Sequence, residues 1–115
     1  MVITDDVGGA LARQKPRVAL YVGGMGHRDK NFHKEMMVRR GFGDAAQRIQ
    51  ELFLAKRKEE AVAAVPDEFC DEMSLVGPVG RIRERYKAWA DSGITGLTIV
   101  AEQPEALELM ASLAR

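Results

Sequence analysis

The hydrophobic pattern is clearest in the C-terminal part of the chain. Between residues 79 and 90, apolar residues recur at helical spacing, at Val79, Ile82, Tyr86, Trp89 and Ala90. Two runs with β-strand character flank this segment, SLVG (Ser74 to Gly77) before it and ITGLTIV (Ile94 to Val100) after it. Asp91-Ser92-Gly93 supplies a glycine stop for the helix. The pattern predicts strand, helix and strand; because a helical crossover joins parallel strands, it indicates an α/β sheet.

The middle of the chain has the periodicity of helices throughout. Asp44 is predicted to be an N-cap residue. The apolar stripe of the helix that follows comprises Ala45, Ile49, Leu52 and Phe53. A second helix is expected from Lys58 to Val65. A third should begin at Pro66, with its inward side chains at Phe69, Cys70 and Met73.

The pattern predicts a helix at the C-terminal end of the chain and is ambiguous near the N-terminal end. A last helix is predicted to open at Pro104 and to bury Leu107, Met110, Ala111 and Ala114. Near the N-terminus, the β-branched run of VITDD (residues 2 to 6) favours the end of a strand. The segment RVALYVGG (residues 17 to 24) is compatible with a helix or a strand, and propensity leaves Val18 to Val22 undecided.

Length and charge restrict the class of protein. A chain of 115 residues with 46% hydrophobic residues can bury one core, so residues 1 to 115 are expected to form a single domain. Acidic and basic residues number 17 each, which argues against nucleic acid and anionic membrane as partners. The single cysteine, Cys70, and the lack of a signal peptide or long apolar span favour a cytoplasmic protein.

The stretch GGMGHRDKNF (residues 23 to 32) carries the chain's most suggestive motif. Three glycines, Gly23, Gly24 and Gly26, are followed by basic side chains, as in loops that bind phosphate. The alternative is a helix stop followed by a close turn. The strand-loop-helix context of a dinucleotide-binding loop is missing, so we favour the structural interpretation. His27 and His33 have no partner at metal-ligand spacing and are expected at the surface.

The order of these segments resembles a known family. VITDDV, then ALYVGGMGHRDKNF, then LVGP and RIRERYKAWADSGITGLTIV are similar to the C-terminal third of luciferase-like monooxygenase family proteins. Within that family the chain most resembles deazaflavin-dependent oxidoreductases similar to methylene-tetrahydromethanopterin reductase. The family fold is a (β/α)₈ TIM barrel of about 250 residues or more. The resemblance therefore implies an α/β partial barrel.

The resemblance also gives places to the segments. VITD is similar to strand six, SLVG to strand seven and GLTIV to strand eight, with a helical excursion between strands six and seven. ALYVGG then corresponds to the end of the helix after strand six.

A cofactor site is implied at the end of strand seven. Barrel phosphate sites often use the loops after strands seven and eight, which places Gly77, Pro78 and Arg81 as candidate cofactor-binding residues. Asp5 and Asp6 either face the same pocket or cap the next helix. The implied cofactor is coenzyme F(420), a deazaflavin, with FMN as the alternative and the possibility that this chain alone holds none; no metal site is implied.

Two functions follow as hypotheses. The first is a portion of a deazaflavin- or flavin-dependent oxidoreductase that transfers hydride to or from a small organic substrate and is inactive alone. The second is a catalytically dead α/β interaction module. Apolar strands without enough partners predict self-association, as a homodimer or larger, or pairing with a chain that supplies the missing barrel strands.

Overall fold

The computed structural model describes residues Met1–Arg115 as a helix-rich α/β chain. Its elements are β1 (Val2–Ile3), α1 (Val7–Ala12), α2 (Lys15–Gly24), α3 (Phe32–Arg39), α4 (Gly43–Leu54), α5 (Lys58–Ala63), α6 (Asp67–Glu72), β2 (Val76–Gly77), α7 (Val79–Ala90) and α8 (Pro104–Leu113). The chain divides into two compact units. The sheet unit comprises Met1–Ala10 and Met73–Arg115, and the helical unit comprises Leu11–Glu72.

The sheet unit is built on one parallel strand pair. Val2 of β1 lies opposite Val76 of β2, and Ile3 lies opposite Gly77. The amide of Val2 donates to the carbonyl of Leu75 at 3.0 Å, and the amide of Thr4 donates to that of Gly77 at 3.1 Å. This confirms the predicted strands at VITD and SLVG, although each is only two residues long.

The predicted third strand at Ile94 to Val100 is wrong. This segment has no regular secondary structure, and Val100 is 75% exposed. A strand needs a neighbour that pairs with its backbone. The N-terminal amino group donates instead to the carbonyl of Val100 at 2.6 Å, which places the segment beside β1. The family resemblance implies the strand order six, seven, eight. Strand eight would then lie beside β2, on the edge of the sheet that faces away from β1.

The core of the sheet unit joins β2 to the last two helices. Its buried cluster consists of Leu75, Ile82, Leu109 and Met110. Half-buried hydrophobic residues pack around it, including Ile3, Tyr86, Trp89 and Ile99. Leu75 and Val76 are buried, so the apolar residues at β2 are not left exposed to solvent. The exposed apolar residues of this unit include those of the segment from 94 to 100.

Two predicted helix faces in the sheet unit need correction. In α7, Val79 and Ala90 are exposed, although Ile82 is fully buried as expected. In α8, three of the residues predicted to be buried are exposed, namely Leu107, Ala111 and Ala114. The buried face of α8 begins one residue earlier and contains Ala106, Leu109 and Met110. Leucine and alanine occur on both sides of α8. The sequence pattern is therefore compatible with either of two buried faces, which are about 100° apart around the helix.

In the helical unit, α2 resolves the ambiguity at Val18 to Val22 in favour of a helix. A proline stands in its first turn, and Met25 after it is extended, so Gly23 and Gly24 end the helix. Both glycines pack against the ring of Phe53 in α4. A Cβ atom at Gly24 would lie 2.5 Å from the Phe53 ring, and one at Gly23 would clash with the Phe53 Cβ. The glycines therefore allow two helices to approach closely.

The remaining helices of this unit begin and end near their predicted positions. The N-cap position of α4 is Phe42, so Asp44 lies in the first turn and the N-cap prediction is wrong. Ala46, Ile49 and Leu52 form the buried face of α4. The next helix, α5, ends at Ala63, before the predicted Val65.

The last helix of this unit, α6, buries two of the three side chains predicted to face inward. Phe69 and Cys70 are buried, whereas Met73 is 43% exposed because α6 ends before it. No helix of either unit combines the length and hydropathy needed to cross a bilayer.

Candidate functional site

The predicted cofactor-binding residues lie together at the corner between β2 and α7. Gly77 ends β2 with a φ of +132°, a conformation that favours glycine. A Cβ atom at Gly77 would lie 2.7 Å from the Arg81 Cδ, so the close packing of Arg81 also requires glycine. Pro78 follows with a φ of −59° and occupies the N-cap position of α7. The three residues form one corner, as predicted.

The start of α7 is open to an anion. The first backbone amide of α7 that has an acceptor within the helix is that of Ile82, which donates to the Pro78 carbonyl at 3.1 Å. The amides of the first turn of a helix have no acceptor within it, and Pro78 offers no side-chain cap. A Cβ atom at Gly80 would meet nothing within 4 Å. The first turn of α7 therefore has no side-chain cap and has open space beside Gly80.

Arg81 contacts the backbone of β2. Its Nη1 donates to the carbonyl of Val76 at 2.5 Å, and its side chain is half-buried. Leu75 and Gly77 direct their carbonyls at β1, so the Val76 carbonyl lies on the other edge of β2. Arg81 thus covers the edge of β2 and brings its positive charge to the N-terminal turn of α7.

The aspartates after β1 have separate roles. The Asp6 carboxylate accepts from the amide of Gly9 at 2.9 Å and caps α1. The Asp6 amide donates to the Thr4 hydroxyl at 3.0 Å. A Cβ atom at Gly9 would meet the Asp6 carboxylate, so a larger residue there would displace the capping side chain. Asp5 is exposed. For Asp6, the capping interpretation is confirmed.

Gln103 covers the other edge of the sheet. Its side-chain oxygen accepts from the Ile3 amide at 2.7 Å, and its side-chain nitrogen donates to the Ile3 carbonyl at 3.0 Å. These two bonds replace the pair that a neighbouring strand would make. Both edges of the two-stranded sheet therefore carry a polar side chain, Gln103 on β1 and Arg81 on β2.

A polar cleft of about 640 Å³ lies in the helical unit. We call it the cation cleft; its lining residues are Arg28, Asp29, Asn31, Lys34, Glu35, Val38, Arg39, Gln47 and Gln50. Arg28, Asp29 and Asn31 of the GGMGHRDKNF motif thus line a cleft, although Gly23 and Gly24 end a helix. His27 and His33 are exposed, as predicted. No group of three or more His, Cys, Asp or Glu side chains is placed to hold a metal ion.

Asn31 fixes one wall of this cleft. It is only 4% exposed, and its side-chain oxygen accepts from the Lys34 amide at 2.9 Å, which caps α3. Its side-chain nitrogen donates to the carbonyls of Tyr21 and Val22, both at 3.0 Å. Asn31 therefore ties the end of α2 to the start of α3. Nearby, Gly26 turns with a φ of +100°.

Cys70 is a buried structural thiol. Burial raises its pKa above the ordinary value of 9.0, Lys15 opposes this shift, and Asp67 adds to it. Burial is the largest of these causes. The thiol is therefore a poor nucleophile at neutral pH.

Sequence reasoning missed most of the cleft. Asn31 carried a usable signal, because asparagine just before an amphipathic run is a common N-cap. Lys34, Gln47 and Gln50 carried none, since they meet only when α3 packs on α4. Gln103 was also missed, because its partner lies 100 residues away in sequence.

Comparisons with known proteins agree on the family. The luciferase-like monooxygenase family model matches residues 2–96. A protein of Mycobacterium tuberculosis named as a candidate coenzyme F(420)-dependent oxidoreductase is 36% identical over 113 residues. That alignment covers 98% of this chain and 33% of the relative, so the chain spans about a third of the relative's length. No solved structure matches the chain at a significant level.

Proposed function

Because the chain belongs to the luciferase-like monooxygenase family, we propose that it is the C-terminal portion of a coenzyme F(420)- or flavin-dependent oxidoreductase. The reaction class is hydride transfer to or from a small organic substrate, with the deazaflavin or flavin supplying the hydride chemistry when bound. The role of this chain is to bind and orient the cofactor. Coenzyme F(420) is the first candidate, in keeping with the name of the mycobacterial relative, and FMN is the second.

The observation that carries this proposal is the open corner between β2 and α7. The amides of Val79 and Gly80 lie in the first turn of a helix with no side-chain cap, and Gly80 leaves space for a ligand. Arg81 adds a positive charge to the same turn. Both cofactors carry phosphate, which helix N-termini and guanidinium groups bind well. We assign this corner to the cofactor phosphate.

The chain is proposed to be inactive alone. It covers about a third of its relative, and β1 and β2 are the only strands it forms. We propose that these two strands take the places of barrel strands six and seven. Catalysis requires groups from several strands, so an isolated third lacks most of them.

A chimera tests this proposal. In it, this chain replaces the matching C-terminal third of the mycobacterial relative, and the purified chimera is titrated separately with coenzyme F(420) and with FMN. We expect the chimera to bind one of them. Arg81→Glu should weaken that binding by about tenfold or more, because it puts a negative charge beside the phosphate. Arg83→Glu is the matched control, since Arg83 is an exposed residue of the same helix.

The isolated chain should show no oxidoreductase turnover in the same assay. A folded chimera that binds neither cofactor would contradict the proposal. Equal effects of the Arg81 and Arg83 variants would remove the corner as the phosphate site.

A second candidate, a self-associating interaction module, is favoured by one observation. Ile94, Leu97 and Val100 are exposed on a segment without regular structure, at 46%, 36% and 75%. Exposed apolar residues grouped in this way are typical of interaction surfaces. The two candidates are compatible if a partner chain covers this segment.

A further inference from the structure

We propose that the cation cleft of the helical unit is a binding site for a small anion, a molecule that carries a phosphate or carboxylate group. The cleft is formed by the loop after α2 together with α3 and α4, and its residues differ from those of the β2–α7 corner. The proposal does not depend on the proposed function.

The central cation of the cleft is Lys34. Its ammonium group donates to the side-chain oxygens of Gln47 and Gln50, both at 2.6 Å. An ammonium group has three N–H donors, so one remains after these two bonds. Both partners are neutral amides, which orient the ammonium without neutralising its charge. A cation held in this way attracts an anion more strongly than one paired with a carboxylate.

The two glutamines are themselves held in position. Gln50 is only 5% exposed, and its side-chain nitrogen donates to the backbone carbonyl of Arg28 at 3.0 Å. The side-chain nitrogen of Gln47 donates to Glu51 at 2.8 Å. The side-chain nitrogen of each glutamine thus has its own acceptor, which leaves the side-chain oxygen directed at Lys34. The site is organised before a ligand arrives, which reduces the cost of binding.

The charges that line the cleft favour an anion. Arg28, Lys34 and Arg39 form no ion pair with any carboxylate. Of the two acidic residues of the lining, Glu35 lies 3.6 Å from the Lys30 ammonium, and the exposed Asp29 lies 3.7 Å from the exposed His27 imidazole, which is an ionic partner only when it is protonated. Three cations thus share one cleft with no carboxylate paired to them.

The size and polarity of the cleft indicate the class of ligand. About 640 Å³ is within the usual range for small-molecule sites. Val38 is the one aliphatic side chain in the lining, and the others are charged or carry amides. A ligand that fits would present anionic oxygens to Lys34, Arg28 and Arg39.

A nuclear magnetic resonance titration of the 115-residue chain tests this inference. The probes are inorganic phosphate and citrate, with sodium chloride as the arm of matched ionic strength. We expect saturable shifts of the amide signals of residues 28 to 39 with phosphate or citrate and none with chloride. Phosphate alone would indicate a phosphate-bearing ligand, and citrate alone a carboxylate-bearing one.

Variants identify the residue that carries the binding. Lys34→Met should raise the dissociation constant by about tenfold or more, and Arg39→Gln should raise it several-fold. Arg48→Gln is the matched control, because Arg48 is an exposed cation of α4 outside the cleft. Chloride shifts equal to those of phosphate and citrate would overturn the proposal. So would unchanged binding by both the Lys34 and Arg39 variants. The signals of residues 79 to 81 report the β2–α7 corner separately, so failure at either place can be distinguished.

Discussion

At the scale of single residues, glycines illustrate how one amino-acid type serves different purposes. Gly77 and Gly26 adopt positive φ angles that other residues avoid. Gly23 is required by space, since the Phe53 Cβ lies against it, whereas Gly9 leaves room for the Asp6 carboxylate that caps α1. Gly8 has open space around it. The phosphate-loop appearance of the glycine motif therefore arises from helix packing and a turn.

Substitution by alanine separates these purposes. Gly23→Ala should lower the free energy of unfolding by about 1 to 3 kcal/mol, because the new methyl group would clash with the rigid Phe53 Cβ. Gly8→Ala is the matched helical control and should raise it by up to about 1 kcal/mol. Urea unfolding curves of the two variants test this, and equal effects at the two positions would contradict the proposed packing of α2 on α4.

At the scale of secondary-structure elements, polar side chains supply hydrogen bonds to the sheet edges that no neighbouring strand provides. The pair β1–β2 has two residues in each strand, and Gln103 satisfies both backbone groups of Ile3 on its outer edge. Unpaired backbone groups at a sheet edge are costly when buried and invite pairing with other chains when exposed. Gln103 thus links the start of α8 to β1.

Removal of this link should destabilise the sheet unit. Gln103→Ala is expected to lower the free energy of unfolding by about 1 to 3 kcal/mol and to speed hydrogen exchange at the Ile3 amide. Glu102→Ala, a change at the exposed neighbouring residue, should alter the unfolding free energy by less than about 0.5 kcal/mol. Unchanged exchange at Ile3 in the Gln103 variant would show that the side chain is dispensable.

Local patterns predicted most helices and the strand segments at VITD and SLVG, because amphipathic spacing, prolines and glycines act within a few residues. The pairing of these two strands followed from the family resemblance, whereas the local pattern paired SLVG with residues 94 to 100. They failed where the answer depends on distant contacts. Ile94 to Val100 has strand composition but no strand beside it in this chain. The sequence placed the buried face of α8 one residue too far along the chain, because Leu107 and Leu109 are equally apolar. The corner of Gly77, Pro78 and Arg81 was found through the family resemblance, whereas the cation cleft depends on α3 meeting α4.

At the scale of the whole molecule, the chain spans about a third of the length of its relative. The family is established by matches along nearly the entire chain, yet those matches cover a third of the relative. Ile94, Leu97 and Val100 are exposed on a segment without regular secondary structure. Several such side chains left in water would each cost about 1.5 to 3 kcal/mol, a large fraction of the stability of a small domain. Association with a second chain removes that cost.

The most direct test of this account is the mass of the purified chain in solution, measured by light scattering at micromolar concentration. The account predicts at least two chains, about 25 kDa or more from 12.7 kDa each. Val100→Asp should shift the mass towards the monomer by placing a charge on the apolar segment. Thr98→Asp, at an exposed polar position of the same segment, should have a smaller effect. A folded 12.7 kDa monomer that unfolds cooperatively would contradict the account.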